Sequence, residues 1–104
     1  MRICVISPYY SKALNQLQYV IAKRIKNGFT IVDATEDIYG HNVVVTFSDG
    51  TVLERIQALP DEVEIKIIEH YYDTVFIDSE YNDDEIRMIR NNLVGTQKKP
   101  VIIF

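Results

Sequence analysis

Residues 72–104 carry the pattern that most restricts the fold. Thr74 to Ile77 is a short run of strand-forming residues closed by Asp78. Asn82 then opens a helix, and Glu85 follows three residues on, the spacing of an approximate capping box. Ile86, Ile89 and Leu93 recur at three- and four-residue steps, which puts them on one face. Gly95 stops the helix. Lys98-Lys99-Pro100 leads into a second apolar run, Val101 to Phe104. Strand, helix and strand in that order form a β-α-β unit, whose strands lie parallel. A chain built on such a unit makes an open sheet with helices on its faces.

The first third repeats the pattern. Arg2 to Ser7 is a run of apolar, β-branched residues ended by Pro8, which reads as a strand buried on both faces. Ser11 can cap the next helix. Leu14, Leu17, Val20, Ile21 and Ile25 mark its apolar face. Gly28 ends it, and Phe29 to Ala34 reads as another strand. The middle is different. Ser48-Asp49-Gly50 sits between Val43 to Phe47 and Thr51 to Ile56, a strong hairpin signal that predicts two antiparallel strands at a sheet edge. Pro60 opens a third helix, with Asp61 and Glu62 in its first turn. Val63, Ile67, Ile68 and Tyr71 share one side of it.

These elements predict a single small α/β domain over 1–104, flavodoxin- or Rossmann-like. Its sheet is expected to be mostly parallel, with strands near 2–7, 29–34, 73–78 and 100–104. An antiparallel hairpin (43–47, 51–56) and three helices (11–27, 60–71, 82–94) complete it. At 104 residues the chain buries roughly 66% of its extended surface, enough for a core without staples.

Composition narrows the function classes. The net charge of −4 disfavours nucleic acid, since the one basic cluster of the first half, Lys23, Arg24 and Lys26, fits a helix end. No apolar run reaches the length of a membrane span, and no export signal precedes Pro8. Cys4 has no intrachain partner and lies in an apolar run, which fits a reducing, cytoplasmic setting and a small buried side chain. Fifteen isoleucines and seven tyrosines without tryptophan fit an A/T-rich coding genome, such as that of a bacteriophage or a low-GC bacterium.

In an open parallel sheet, ligands sit beyond the carboxyl ends of the strands where strand order reverses. The expected fold gathers three loops there, Ser7 to Tyr10, Asp33 to Asp37 and Asp78 to Glu85. Ser7, Tyr9, Tyr10, Asp33 and Tyr81 are the candidate ligand-binding residues, and Asp78 and Glu85 the candidate catalytic ones. Carboxylates and aromatics in one crevice suit a sugar, a nucleoside or a hard cation. The competing reading is that these residues cap helices and solvate loop ends. Phosphate-cradling glycine motifs are absent. His41 and His70 lack metal-ligand spacing, so no metal site is expected. No cofactor is implied.

Two families share the pattern. The segments Tyr72 to Asp78, Glu85 to Arg90 and Pro100 to Ile103 resemble the middle of a response-regulator receiver domain. That resemblance makes Asp78 the position of the phosphoacceptor, while Ser7-Pro8 stands where the family carries an acidic pair for Mg²⁺. The chain is also similar to the nucleoside 2-deoxyribosyltransferase group. Ile3 to Ser11 resembles its opening strand and Gly-Pro-Tyr loop, with Ser7 in the glycine position. That resemblance implies a nucleophilic role for Glu85.

Two functions follow as expectations. The first is a non-catalytic regulatory or interaction domain, such as a phage-type accessory protein, that binds a protein partner or forms a homo-oligomer. Val44 and Leu53 are its candidate contact residues, with the helix from Pro60 as their alternative cover. The second is a nucleotide- or nucleoside-binding protein, or an N-glycosidic hydrolase or transferase, that works through the crevice.

Overall fold

Strands and helices form close to where the apolar pattern sets them, but the order of the strands is different. The computed structural model describes residues 1–9, 15–36, 42–67, 70–96 and 101–103. Along the chain run β1 (Arg2–Ser7), α1 (Asn15–Lys26), β2 (Ile31–Glu36), β3 (Val43–Phe47), β4 (Val52–Gln57), α2 (Val63–Ile67), β5 (Thr74–Ile77), α3 (Asp83–Thr96) and β6 (Val101–Ile103). The strands lie in the order β2-β3-β4-β1-β5-β6. β1 is parallel to β4 and β5, and β5 is parallel to β6. β2, β3 and β4 form an antiparallel meander.

This overturns the mostly parallel flavodoxin-like sheet. The sheet is mixed, and β1, α1 and β2 do not make a parallel unit. The chain leaves β1 and returns at the far edge, so β4 and not β2 lies beside β1. Side-chain chemistry explains the exchange. A strand next to β1 is covered on both faces and must tolerate burial on both. β4 meets this with Leu53 on one face and Ile56 on the other, both buried. β2 carries Asp33 and Glu36, which stay in water only at an edge. The hairpin is therefore interior, with β2 as the edge strand.

The turn between β3 and β4 forms as its sequence demands. Gly50 takes φ +86°, a conformation that suits glycine. The Gly50 backbone N–H donates to the Phe47 carbonyl at 2.9 Å. The Asp49 carboxylate accepts from the Thr51 backbone N–H (3.1 Å) and hydroxyl (2.9 Å). Arg24 reaches from α1 to join them, donating to Asp49 at 2.7 Å and to Thr51 Oγ1 at 2.6 Å. Its guanidinium lies over the rings of Phe29 (4.6 Å) and Phe47 (5.1 Å). Partial desolvation pushes the Asp49 carboxyl up. The Thr51 N–H, the Arg24 guanidinium and the Thr51 hydroxyl outweigh it and bring the pKa down to about 2.

Two cores lie on the two faces of the sheet. α2 and α3 cover one face, where Cys4, Ile6, Ile56, Ala58, Val63, Ile67, Val75, Ile77, Ile89 and Leu93 are buried together with Tyr72 and Tyr81. α1 covers the other, where Leu17 and Val20 meet Ile3, Val5, Val45, Phe47 and Leu53. Two expected core positions differ. Ile25 is 52% exposed, and Tyr71 lies beyond α2 and is exposed, with Tyr72 buried instead. Ser11, Leu14, His41 and Ile68 fall outside the described residues.

Candidate functional site

The carboxyl ends of β4, β1 and β5 meet at one end of the sheet. β1 feeds α1 on one face and β4 feeds α2 on the other, so the sheet's connections diverge between these two strands, the position where α/β folds bind ligands. The polar groups at this point are deeply buried. Ser7 is 0% exposed, Asp78 3%, and Arg55 and Gln57 5% each. Arg55 Nε donates to Ser7 Oγ at 3.3 Å. Gln57 Oε1 is buried without a hydrogen-bond partner among the described residues.

The crevice expected from the sequence does not assemble. Asp33 lies on β2, three strands from β1, which puts it about 14 Å away at ordinary strand spacing. It is exposed. That is a correction with a simple cause, since the crevice required β2 to sit beside β1. Tyr10 falls outside the described residues. Ser7 and Asp78 do end neighbouring strands: the Asp78 backbone N–H donates to the Ile6 carbonyl at 2.9 Å.

The remaining candidates have structural work. Asp78 Oδ1 accepts from the Glu80 N–H at 2.9 Å and shapes the turn into α3. Asn82 and Glu85 form a complete capping box: the Asn82 N–H donates to Glu85 Oε1, and the Glu85 N–H to Asn82 Oδ1, both at 2.9 Å. Tyr81 is 3% exposed and donates to the Ala58 carbonyl at 2.6 Å. Tyr9 donates to Glu62 Oε2 at 2.8 Å. The Lys66 ammonium donates to the Tyr9 hydroxyl at 2.5 Å and to the Gln57 carbonyl at 2.7 Å. The Leu59 N–H, which donates to Glu62 at 3.0 Å, and the Tyr9 hydroxyl hold that carboxyl below its usual range. These bonds tie the loop after β1 to α2.

Cys4 is fully buried, and burial together with the nearby Glu54 carboxylate pushes its thiol well above the ordinary value. It stays protonated and unreactive. Glu54 pairs with the Arg2 guanidinium and accepts from the Tyr72 hydroxyl at 2.8 Å. Burial, with Cys4 and Glu54 adding to it, drives the Tyr72 hydroxyl far up as well. No group of three metal-ligating side chains occurs among the described residues.

Of the candidate contact residues, Leu53 is 0% exposed and belongs to the core under α1. Its register partner Val45 faces the same way, so Leu53 needs no second cover. Val44 lies on the opposite face, half-buried, in a shallow groove with Glu54, Lys66 and His70.

Two surface features escaped the sequence reading. β2 is exposed at every residue from Ile31 to Glu36. A groove of about 400 Å³ runs between α1 and β5, lined by Ile3, Val20, Thr74 and Phe76 below and by Tyr19 and Lys23 of α1 with Asn27 just beyond its end. Its signal was present in the sequence, since Tyr19, Lys23 and Asn27 recur every four residues on a helix.

Fold and surface define a small mixed α/β domain with an open edge strand. No helix among the described residues is long and apolar enough to cross a membrane. Comparison with protein-family models, curated proteins and solved structures finds no match.

Proposed function

We propose that the chain is a non-catalytic interaction domain that binds a protein partner by adding a strand to β2. The observation that carries this reading is that every residue of β2 is exposed, on both faces, and that its outer edge pairs with no strand among the described residues. An edge strand of a sheet with a packed face ordinarily buries alternate residues. Here Ile31 is 42% exposed and Val32 62% exposed, so apolar side chains flank a row of backbone donors and acceptors. Such an edge is a template for another strand.

The acidic residues select the partner. Cross-strand register sets Glu36 on the α1 face, opposite Val43, and Asp33 on the other face, opposite Thr46. Either face of an added strand therefore meets a carboxylate, which favours an extended segment bearing Lys or Arg. A second copy of β2 would set carboxylates against carboxylates. The non-catalytic part of the reading is supported by Asp78 and Glu85, whose carboxylates are engaged in a turn and a helix cap.

The test compares ligands by thermal shift. An extended peptide with alternating Lys and Val should stabilise the domain, and its Glu-for-Lys counterpart should not. A ligand at 100 times its Kd adds about 2.7 kcal/mol. Stabilisation by nucleosides, nucleotides or Mg²⁺ instead, with turnover abolished in Glu85→Gln, would overturn the reading.

A further inference from the structure

The two faces of the sheet are unequally covered. α2 and α3 lie over β4, β1, β5 and β6 on one face. On the other, α1 is the one helix among the described residues, and its cluster draws on β1, β3 and β4, with Phe76 of β5 half-buried against it. Beside α1, on its β5 side, no second helix among the described residues lies on this face.

The groove between α1 and β5 lies there. Its floor is apolar, with Ile3, Val20 and Phe76, and Thr74 adds a hydroxyl. Its bank is the line of Tyr19, Lys23 and Asn27, which runs about 12 Å at the rise of an α-helix. A second depression continues over Tyr19, Ala22, Lys23, Lys26 and Asn27. Tyr19 is 61% exposed, an aromatic ring on the solvent side of a helix. Charge separates this bank from the rest of the molecule. The chain carries −4, yet α1 has no acidic residue in its first turn and Lys23, Arg24 and Lys26 in its last. Arg24 lines the groove, but its guanidinium is held by Asp49 and Thr51. Lys23 and Lys26 pair with no carboxylate among the described residues.

We propose that this groove docks an acidic amphipathic helix of a partner protein. The apolar stripe of that helix seats on half-buried Phe76 and on the outer rims of Ile3 and Val20, and Tyr19 packs along its side. Its carboxylates face Lys23 and Lys26. The occupant completes the helical layer that α1 begins. This site is separate from β2, whose acidic residues select the opposite charge.

The experiment measures fluorescence anisotropy of a labelled helical peptide of about 15 residues, the length at which an isolated helix begins to hold. The probe has Leu at i, i+3, i+4 and i+7 and Glu on the flanks; a second peptide carries Lys at the Glu positions. The acidic probe should bind, and the basic one should not. Lys23→Glu should weaken binding tenfold or more, with Tyr19→Ala also reducing it. Both positions are on the helix surface, and circular dichroism checks that each variant keeps its fold. Glu36→Lys on β2 should leave this binding unchanged while weakening the Lys-rich strand peptide. Failure of the acidic probe to bind, equal binding of the two probes, or indifference to Lys23→Glu overturns the proposal. So does a dimer of the free chain that Lys23→Glu dissociates, because the occupant is then a second copy.

Discussion

β1 and β2 are both six-residue strands of the same sheet, yet they live in different environments. β1 has a strand on each side and helices on both faces, and Ile3 to Ser7 are buried. Among the described residues β2 has a strand on one side only, and it has no buried residue. The difference teaches where the stability of the domain resides and where it is free to bind. The centre is fixed by burial on both faces. The wing formed by β2 is held mainly through its pairing to β3, and a two-stranded pairing alone is marginal in water.

The largest expected contrast comes from one truncation in each region. Leu53→Ala removes a fully buried side chain from β4 and should cost about 2–5 kcal/mol. Val32→Ser, at a position 62% exposed on β2, should change stability by no more than about 0.5 kcal/mol. Urea unfolding measures both. Equal losses would mean that β2 is as much a part of the core as β4.

The polar centre can be broken next. Glu54→Ala leaves the Arg2 guanidinium and the Tyr72 hydroxyl without their shared acceptor and should cost about 1–3 kcal/mol. An unchanged urea midpoint would show that this part-buried cluster contributes nothing to holding β1 beside β4.

These two strands also show what the sequence could reveal. The β5, α3 and β6 segment was legible because its signals are local. Asn82 and Glu85 cap the helix, and Ile89 and Leu93 bury where the spacing sets them. The β3–β4 hairpin was legible in its pairing, from Asp49-Gly50, but not in its position, and the antiparallel pairing of β2 with β3 was not foreseen. The hairpin was expected at an edge, yet β4 carries Glu54 and Arg55 in the interior of the sheet. Their partners, Arg2 with Tyr72 and Ser7, are remote in sequence, and those contacts let β4 enter the centre. Strand order is a non-local property, and the displacement of β2 removed Asp33 from the expected crevice. The capping box of Asn82 and Glu85 was legible because it is complete within four residues, whereas the catalytic role also expected of Glu85 rested on resemblance and on the expected crevice.

A smaller effect should appear with acid. The Asp49 carboxyl has a folded pKa of about 2, below the ordinary aspartate value of about 3.9. Its contribution is therefore present above about pH 4 and is lost as pH falls through about 2. Asp49→Asn should lack this part of the acid loss and show a flatter stability profile between those limits. An identical profile would mean that the link from Arg24 to the β3–β4 turn carries no proton linkage.

The most direct test of the central claim is residue-resolved amide hydrogen exchange, free and with the Lys-alternating strand peptide. In the free domain, β1 amides should exchange only through global unfolding, and the outward-facing β2 amides should exchange fast. With the peptide, those β2 amides should become protected while β1 is unchanged. Protection of β2 equal to β1 in the free monomer, or a peptide-bound domain whose β2 amides still exchange fast, would contradict the account.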